Sequence, residues 1–184
     1  MKKLLFVFLI GALASLSFAS DGNEEVKAAE RRAKIDAVAE ETLEQLFREA
    51  PGSKKMYKDA HGYAVFSNVK VALLVSGGGG SGVAVDHDSG ERTYMKMGTA
   101  GVGLGLGGRK YQVVFLFEDG KTFDKFVNKG WQADTSANAT AGNAGAGVAS
   151  TFNNGLAIYQ FSEKGLMAQA EVAGTKYWKA DKLN

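Results

Sequence analysis

The sequence predicts a single α+β domain in which an N-terminal helical segment packs on a curved, glycine-rich antiparallel β-sheet. Three observations support this fold class. Residues 24–50 carry apolar side chains at spacings of three and four, which is the period of an amphipathic helix. Residues 62–180 hold β-prone runs separated by turn residues. Glycine takes every second position from Gly101 to Gly107, which would leave one face of a strand without side chains.

A bare strand face is kept where something approaches closely, because glycine weakens a strand through backbone entropy. The approaching group could be a helix, a second sheet or a bound lipid, and packing within the protein is the simplest of these. Glycines also permit strong curvature. We therefore expect a sheet of about six or more strands, with closure toward a barrel as an open alternative.

The first 19 residues have the layout of a secretory signal peptide. Two lysines and an apolar run over residues 4–13 precede Ser17 and Ala19, which stand at the −3 and −1 positions of a cleavage site after Ala19. The alternative is an uncleaved anchor, although the run is shorter than the ~20 residues of a membrane-spanning helix. The chain has no cysteine, which excludes a lipoprotein anchor, disulfides and thiol chemistry. We expect a protein of the bacterial periplasm or envelope, with residues 20–184 as one domain.

The overall charge excludes one class of partner. The chain has 22 basic and 20 acidic residues, and two of the lysines lie in residues 1–19, so the remainder carries no formal net charge. A general attraction to nucleic acid is therefore not expected, and binding to anionic lipid would depend on local basic patches.

Residues 24–60 are predicted to be helical, in two segments. The first ends at Pro51-Gly52, and residues 24–48 hold seven acidic and five basic side chains. Helices that lie on membranes are usually rich in Lys and Arg, so we expect this one to pack on its own domain. Ser53 is predicted to cap a second, short helix over residues 54–60.

Residues 62–180 are predicted to be mainly strands. The turn Asp86–Gly90 has strong turn chemistry, whereas residues 77–82 are predicted to be a glycine-rich break. A short helix is expected over residues 122–129, with Gly130 as its left-handed cap. Residues 132–150 could be a loop or a small-residue strand. The predicted strands are 63–66, 69–75, 83–85, 92–97, 98–108, 110–117, 156–161 and 166–172.

Motifs for nucleotides, metals and catalysis are weak. Two glycine runs match G-x-G-x-x-G, Gly77/Gly79/Gly82 and Gly103/Gly105/Gly108. A dinucleotide site needs a helix after the motif, but each run leads into another predicted strand, so no nucleotide is expected.

The two histidines, His61 and His87, have no second histidine at ligand spacing. Asp86, His87 and Asp88 could together contact an ion, but they are more typical of a turn. We expect no metal, no cofactor and no catalytic residues, since the sequence has neither a nucleophile elbow nor a marked carboxylate pair. An unrecognised carboxylate pair is the route by which the chain could be an enzyme.

The order of several short motifs resembles the SYLF (Ysc84-like) lipid-binding domain over residues 25–180. The motifs are Ala60-His-Gly-Tyr-Ala-Val-Phe66, Gly77–Gly82, Gly98–Gly108, Phe126–Gly130 and Glu171–Gly174. The resemblance implies a non-enzymatic phospholipid binder. Eukaryotic members bind phosphoinositides and meet actin-regulatory partners, and bacterial members are typically small secreted or envelope proteins. Here Ser67 replaces a usual proline and the N-terminal helix is acidic, so only lipid association in general is carried over.

These observations predict a non-enzymatic phospholipid-binding protein of the bacterial periplasm or envelope. The alternative is an envelope structural or interaction protein that docks a protein partner through its sheet. Basic side chains can contact headgroup phosphates, and tryptophan often lies between apolar and wet surroundings; Lys176-Tyr-Trp-Lys179 suits either a lipid interface or a core edge. The candidate lipid-contact residues are Lys54, Lys55, Lys58, Arg109, Lys110 and Trp131.

Overall fold

The predicted α+β class is confirmed. The computed structural model describes residues 14–72, 75–102, 107–132, 151–167 and 174–184, and these form three α-helices, one antiparallel sheet and a final 3-10 turn. The helices are α1 (Ala14–Glu49), α2 (Ser53–Asp59) and α3 (Gly120–Lys129), and the 3-10 turn is Asp181–Leu183. The strands are β1 (Gly62–Ala72), β2 (Val75–Asp86), β3 (Arg92–Val102), β4 (Gly107–Phe117), β5 (Trp131–Gln132), β6 (Leu156–Ser162), β7 (Gly165–Leu166) and β8 (Thr175–Lys179).

The described strands form one open sheet in the order β5-β8-β3-β2-β1-β4-β6-β7. β1 and β2 make a long hairpin at its centre, β3 pairs with the outer side of β2, and β4 pairs with the outer side of β1. The two outermost described strands, β5 and β7, pair with β8 and β6 and not with each other. The prediction that the sheet could close toward a barrel is therefore wrong.

The sheet has a hydrophobic core on each face, because successive strand residues point to opposite sides. On one side, the α1 face, Val65 and Val83 pack with Leu46 of α1 and Met56 of α2. On the other side, the α3 face, aromatic rings dominate. Its buried rings are Phe66, Tyr111, Phe115, Phe117, Phe123, Phe126 and Tyr177.

Helix α1 crosses the sheet and is fixed to it at two points. Asp36 accepts hydrogen bonds from Arg92 and from the Tyr94 hydroxyl, both at 2.9 Å. At the other end the backbone N–H of Leu166 donates to Glu49, at 2.6 Å. The predicted helix over residues 24–50 is confirmed. It begins earlier than predicted, at Ala14, and therefore includes residue 19.

The first described core residue of α1 is Ala28. Loss of residues 1–19 would thus remove nothing from the described cores. Cleavage after Ala19 stays a prediction, and so does the division of the chain into residues 1–19 and 20–184.

The glycine-rich run at 77–82 is a strand and not a break. It belongs to β2, where Gly79 pairs with Val69 and Gly82 pairs with Phe66 of β1. A Cβ atom at Gly82 would lie 2.1 Å from the Val65 carbonyl oxygen and 2.6 Å from the Phe66 ring. Close packing inside a strand therefore requires glycine at this position. A glycine-rich run can serve either such packing or a turn, and the sequence pattern alone does not distinguish the two.

The strand boundaries around residues 98–108 also differ from the prediction. Residues 92–97 and 98–102 form the single strand β3, and Gly107 and Gly108 begin β4. Residues 103–106 lie outside the described residues, as do 133–150 and 168–173, which include most of the predicted strand 166–172. The hairpin expected from residue 156 onward is present as β6 and β7.

The helix caps were predicted with mixed success. In α3 the Asp119 side chain, which was not predicted as a cap, accepts a hydrogen bond from the Thr122 backbone N–H at 2.8 Å. Gly130 is the C-cap and has a positive φ of 72°, but its ψ of 171° lies outside the left-handed helical region that was predicted. Ser53, by contrast, does not cap α2. It lies inside the helix after the N-cap Gly52, and its hydroxyl is buried without a hydrogen-bond partner.

Candidate functional site

The six predicted lipid-contact residues lie in three separate places. Lys54, Lys55 and Lys58 are exposed on α2, beside the start of β1, and Lys55 forms an ion pair with Asp59. Arg109 and Lys110 pair with residues near the far end of β1. At about 3.3 Å per strand residue, the two groups are separated by roughly 25 Å along the sheet.

The remaining candidates are also not brought together. Lys110 lies opposite Val69 on the α1 face, whereas Arg109 lies opposite Lys70 on the α3 face. Trp131 is partly buried, and its ring centroid is 5.6 Å from that of Phe115 and 5.8 Å from that of Tyr177. Trp131 is thus part of the edge of the aromatic core. A role in lipid contact stays a prediction for each of the six.

A different set of residues comes together at the end of the sheet away from α2. We call this region the glycine end; it consists of residues 67–72, 75–81, 96–102, 107–112 and 175–178. These segments contain no Asp or Glu and five basic residues, namely Lys70, Lys96, Arg109, Lys110 and Lys176. The near-neutral charge of the whole chain therefore conceals a basic region, which creates a positive local potential.

The α1 face of the glycine end is also apolar. Val69, Val71 and Trp178 are 45%, 50% and 39% exposed, and among the described residues the only other large exposed apolar side chain is Val26 in α1. Single exposed apolar side chains are normal, whereas a group of them marks an interaction surface.

Strand register places these apolar side chains next to three lysines. Val69 lies opposite both Gly79 and Lys110, and Trp178 lies opposite Lys96. Lys176 lies opposite Gly98 on the same face. We call this surface the apolar-basic patch. It comprises Val69, Val71, Lys96, Lys110, Lys176 and Trp178.

The glycines form the floor of the patch and make room for its tryptophan. A Cβ atom at Gly98 would lie 3.1 Å from the Trp178 ring, whereas one at Gly79 or Gly77 would meet only backbone oxygens at 3.6 Å or more. A strand face without side chains is therefore present at Gly77, Gly79 and Gly98. It is not the predicted one, because the alternating run from Gly101 to Gly107 is divided between β3, β4 and residues outside the described ones. Among the described residues, the indole of Trp178 is the group that approaches this strand face at Gly98.

Of the patch, only Lys110 is among the six predicted lipid-contact residues, and Lys176 and Trp178 belong to a segment that the sequence left open between a lipid interface and a core edge. The patch is assembled from distant parts of the sequence, since Val69 and Lys176 are more than 100 residues apart. Only the strand register brings these two residues and Lys96 to one surface. One available signal was the absence of acidic residues from every segment of the glycine end. That signal becomes visible once the segments are known to be neighbours.

A second polar cluster lies where the β2–β3 turn meets the start of β1. Nε2 of His61 is 2.9 Å from Oδ2 of Asp86, and Nδ1 is 3.5 Å from Oδ2 of Asp88. The other oxygen of Asp86 accepts hydrogen bonds from the backbone N–H groups of Asp88 and Ser89. The Ser89 backbone, together with the charge of His61, lowers the pKa of Asp86.

This cluster corrects the expected grouping of Asp86, His87 and Asp88. His87 turns away, with Nδ1 2.8 Å from the Ala60 carbonyl oxygen and its ring between Tyr57 and Tyr63. His61 takes its place, and one ligand atom from each of His61, Asp86 and Asp88 lies within 4.8 Å of the others. These residues could hold a divalent ion, but the histidine already bridges the two carboxylates. The absence of a metal stays a prediction.

Buried tyrosines on the α1 face are arranged for packing. Burial raises the pKa of Tyr63 and of Tyr159 to about 12, so both phenols stay protonated at neutral pH. The Tyr159 hydroxyl contacts the Met56 sulfur at 3.4 Å, and the Tyr63 ring packs on Tyr57 at 5.2 Å. These phenols join α2 to the sheet.

No described helix combines the length and the apolar composition that crossing a bilayer requires.

Comparison with known proteins gives two matches. Residues 98–184 match the Ysc84 family, which is described as "Las17-binding protein actin regulator". Beta cell expansion factor A from Aeromonas veronii is 44% identical over 151 residues, which is 82% of this chain and 58% of that protein. The chain thus spans somewhat more than half the length of this relative. The family match includes Lys110, Lys176 and Trp178 of the patch.

Proposed function

We propose that the chain is a member of the Ysc84 (SYLF) family, which it matches over residues 98–184, and that it is a non-catalytic protein that binds anionic phospholipid membranes through the apolar-basic patch. One observation carries the proposal. Three of the exposed large apolar side chains share a surface with three lysines, at the glycine end, whose defining segments contain no Asp or Glu. An apolar surface surrounded by cations complements the interface of an anionic bilayer.

The free energies expected for the lysines and for the apolar side chains indicate that membrane binding needs both. A lysine near an anionic membrane surface contributes about 1 kcal/mol, so three lysines contribute about 3 kcal/mol. That free energy corresponds to a dissociation constant weaker than about 1 mM. Burial of Val69, Val71 and Trp178 among the headgroups adds the hydrophobic contribution, since each Å² of apolar surface removed from water gives roughly 25 cal/mol.

We propose that this membrane is encountered in the periplasm or envelope. The basic start, the apolar run over residues 4–13 and the small residues before Ala19 support export. The mass of the protein isolated from its host tests this directly. A mature chain beginning at Ser20 is expected, and an intact Met1 on all molecules would contradict it.

Co-sedimentation with vesicles tests the membrane proposal. The full chain is mixed with phosphatidylglycerol vesicles or phosphatidylcholine vesicles at low ionic strength. We compare the wild type with the double variant Lys96→Glu/Lys176→Glu, and with the matched control Lys54→Glu/Lys58→Glu on α2. Both variants change the formal charge equally, and both retain the same apolar N-terminal residues, so a difference between them reports the place of binding.

The expected result is binding to phosphatidylglycerol that is retained by the α2 control. In the patch variant we expect binding to fall by about thirtyfold or more, because each lysine contributes about 1 kcal/mol. The wild-type binding should weaken when salt is raised above about 0.1 M, where the Debye length is ~10 Å. Loss of binding in the α2 control alone would transfer the site to Lys54 and Lys58, and absence of wild-type binding would refute the membrane function.

The tryptophans provide a second readout. Because the chain has two tryptophans, Trp131→Phe leaves Trp178 as the only indole. If the patch enters the interface, Trp178 emission is quenched by vesicles that contain brominated lipid. Unquenched emission from sedimented protein would show that another surface holds the membrane.

The second candidate function is a protein-interaction module, and the family description, which names binding to a protein, favours it. Strand addition at a sheet edge is the route expected from the sequence, and the described edge strands are β5 and β7. A partner that is captured from an envelope extract by the full chain, without any vesicle binding, would support this candidate.

A further inference from the structure

A groove lies between α1 and the sheet, beside the apolar-basic patch. Lys34, Ile35, Val38 and Ala39 of α1 line one side, and Val65, Ser67 and Ser81 line the other. Its volume is about 180 Å³. Two of the three strand residues in the lining are small, and these two, Ser67 and Ser81, lie opposite each other on adjacent strands.

The lining has the character of an amphiphile site. Ile35, Val38, Ala39 and Val65 make apolar walls, and Lys34 is an exposed cation on the helix side. The hydroxyl groups of Ser67 and Ser81 lie on the sheet side. Small-molecule sites are typically apolar with a few polar groups that fix orientation.

Strand register connects the groove to the patch. Ser67 is two residues from Val69 on the same strand face, and Ser81 lies opposite Lys96. The groove is thus flanked by Lys34 from α1 and by Lys96 from β3. The nearby carboxylate of Asp36 is occupied by Arg92 and Tyr94, so it does not compete with a ligand for Lys34 or Lys96.

Resting on the proposed membrane function, we propose that the groove accepts the end of one acyl chain of an anionic lipid, whose phosphate lies between Lys34 and Lys96. A ligand pocket for a whole small molecule has about 300–1,000 Å³, so about 180 Å³ suits part of one chain and not a complete diacyl lipid. The protein then holds a single lipid in addition to its contact with the bilayer surface.

The test uses a single-chain lipid below its micelle concentration, so that no bilayer is present. Native mass spectrometry of the full chain is performed with palmitoyl lysophosphatidylglycerol and with palmitoyl lysophosphatidylcholine. Ser67→Phe fills the groove from an exposed strand position, and Ser89→Phe in the β2–β3 turn is the matched control. Lys34→Glu reverses an exposed charge and leaves the apolar walls in place.

We expect one bound lysophosphatidylglycerol per wild-type chain, and the same in Ser89→Phe. Ser67→Phe should lower the bound fraction at least tenfold while retaining sedimentation with phosphatidylglycerol vesicles. Lys34→Glu should weaken lysophosphatidylglycerol more than lysophosphatidylcholine. Circular dichroism of each variant checks that the fold is intact.

The outcomes separate the two proposals. Vesicle binding by the wild type without a lysolipid adduct would overturn the groove and leave the membrane function standing. Equal lysolipid binding by the wild type and both groove variants would also overturn it. A lysolipid adduct that is lost in Ser67→Phe, from a protein that does not sediment with vesicles, would support the groove and refute the membrane function.

Discussion

Trp178 lies over the backbone of Gly98, so that a Cβ atom on that glycine would stand 3.1 Å from Cη2 of the indole. The contact fixes where the largest apolar side chain of the patch lies. The indole is 39% exposed, so one edge remains available to a ligand while the other rests on β3. The orientation of this ring therefore depends on a neighbour that contributes no side chain.

Gly98→Val is expected to displace the indole and weaken vesicle binding several-fold. Stability should change by only about 1 kcal/mol, because an exposed ring can move away from the added methyl groups. The measurement is Trp178 emission and vesicle partition in a Trp131→Phe background. Gly77→Val is the matched control, since its Cβ would approach nothing closer than 4.0 Å; equal effects of both substitutions would contradict the role of the Trp178–Gly98 contact.

Gly82→Ala and Gly79→Ala should differ strongly, although both positions lie in β2. A Cβ at Gly82 would collide with the Val65 carbonyl oxygen at 2.1 Å, whereas at Gly79 it would meet only the Met97 carbonyl oxygen at 3.6 Å. We expect Gly82→Ala to lower the free energy of unfolding by about 3 kcal/mol or more, as severe overpacking does. Gly79→Ala should change it by less than about 1 kcal/mol. Urea denaturation compares them, and equal midpoints would show that β2 can shift away from β1.

Tyr94→Phe should weaken the attachment of α1 to the sheet. The Tyr94 hydroxyl donates to Asp36 at 2.9 Å, and one hydrogen bond to a charged group contributes about 1.5–3 kcal/mol. The part-buried Asp36 retains Arg92, so we expect a loss near the lower value, about 1.5 kcal/mol. Glu25→Gln, which removes the exposed pair with Arg32, is the control and should cost less than about 1 kcal/mol. A larger loss in the control would mean that the N-terminal half of α1 holds the helix in place.

The Asp86 carboxylate should contribute stability at neutral pH and not in acid. The Ser89 backbone, aided by the charge of His61, lowers the pKa of Asp86, so its contribution is complete above the unfolded value of about 3.9 and is lost as the pH falls through the folded value. Asp86→Asn keeps an oxygen for the turn hydrogen bonds but removes the charge. We expect it to cost about 1 kcal/mol near pH 7.

The urea midpoints of Asp86→Asn and the wild type should differ near pH 7 and converge at an acid pH below the folded pKa of Asp86, where both side chains are uncharged. Asp124→Asn, at an exposed position of α3, serves as the control and should match the wild type at both pH values. A constant difference between Asp86→Asn and the wild type would mean that the carboxylate charge does not stabilise the turn.

Local features of this chain were predictable because their signals lie within a few residues. Gly130 ends α3, and the three buried side chains Phe123, Phe126 and Val127 follow helical spacing. The Asp86–Gly90 turn likewise follows from its own residues. These elements agree with the sequence prediction because the forces that define them are local.

Features that depend on strand register were not predictable from one sequence. The run Gly77–Gly82 has the composition of a turn, and only its pairing with β1 makes it a strand. Lys96 and Trp178 become neighbours through pairing across about 80 residues. His61 contacts Asp86 for the same reason, because Asp86 pairs with Gly62, the residue that follows His61. No periodicity within a segment encodes such contacts.

The order of the strands also determines when the protein can fold. Among the described strands β5 pairs only with β8, and β8 is the outer partner of β3. A nascent chain that has emerged through residue 132 has already synthesised β5, but β5 has no strand to join and the outer edge of β3 lies open. The half of the sheet that contains β3, β8 and β5 is thus completed only when residues 175–179 leave the ribosome. Pairings of such long range form slowly, so we expect the outer edge of β3 to remain unpaired until the last residues of the chain are synthesised.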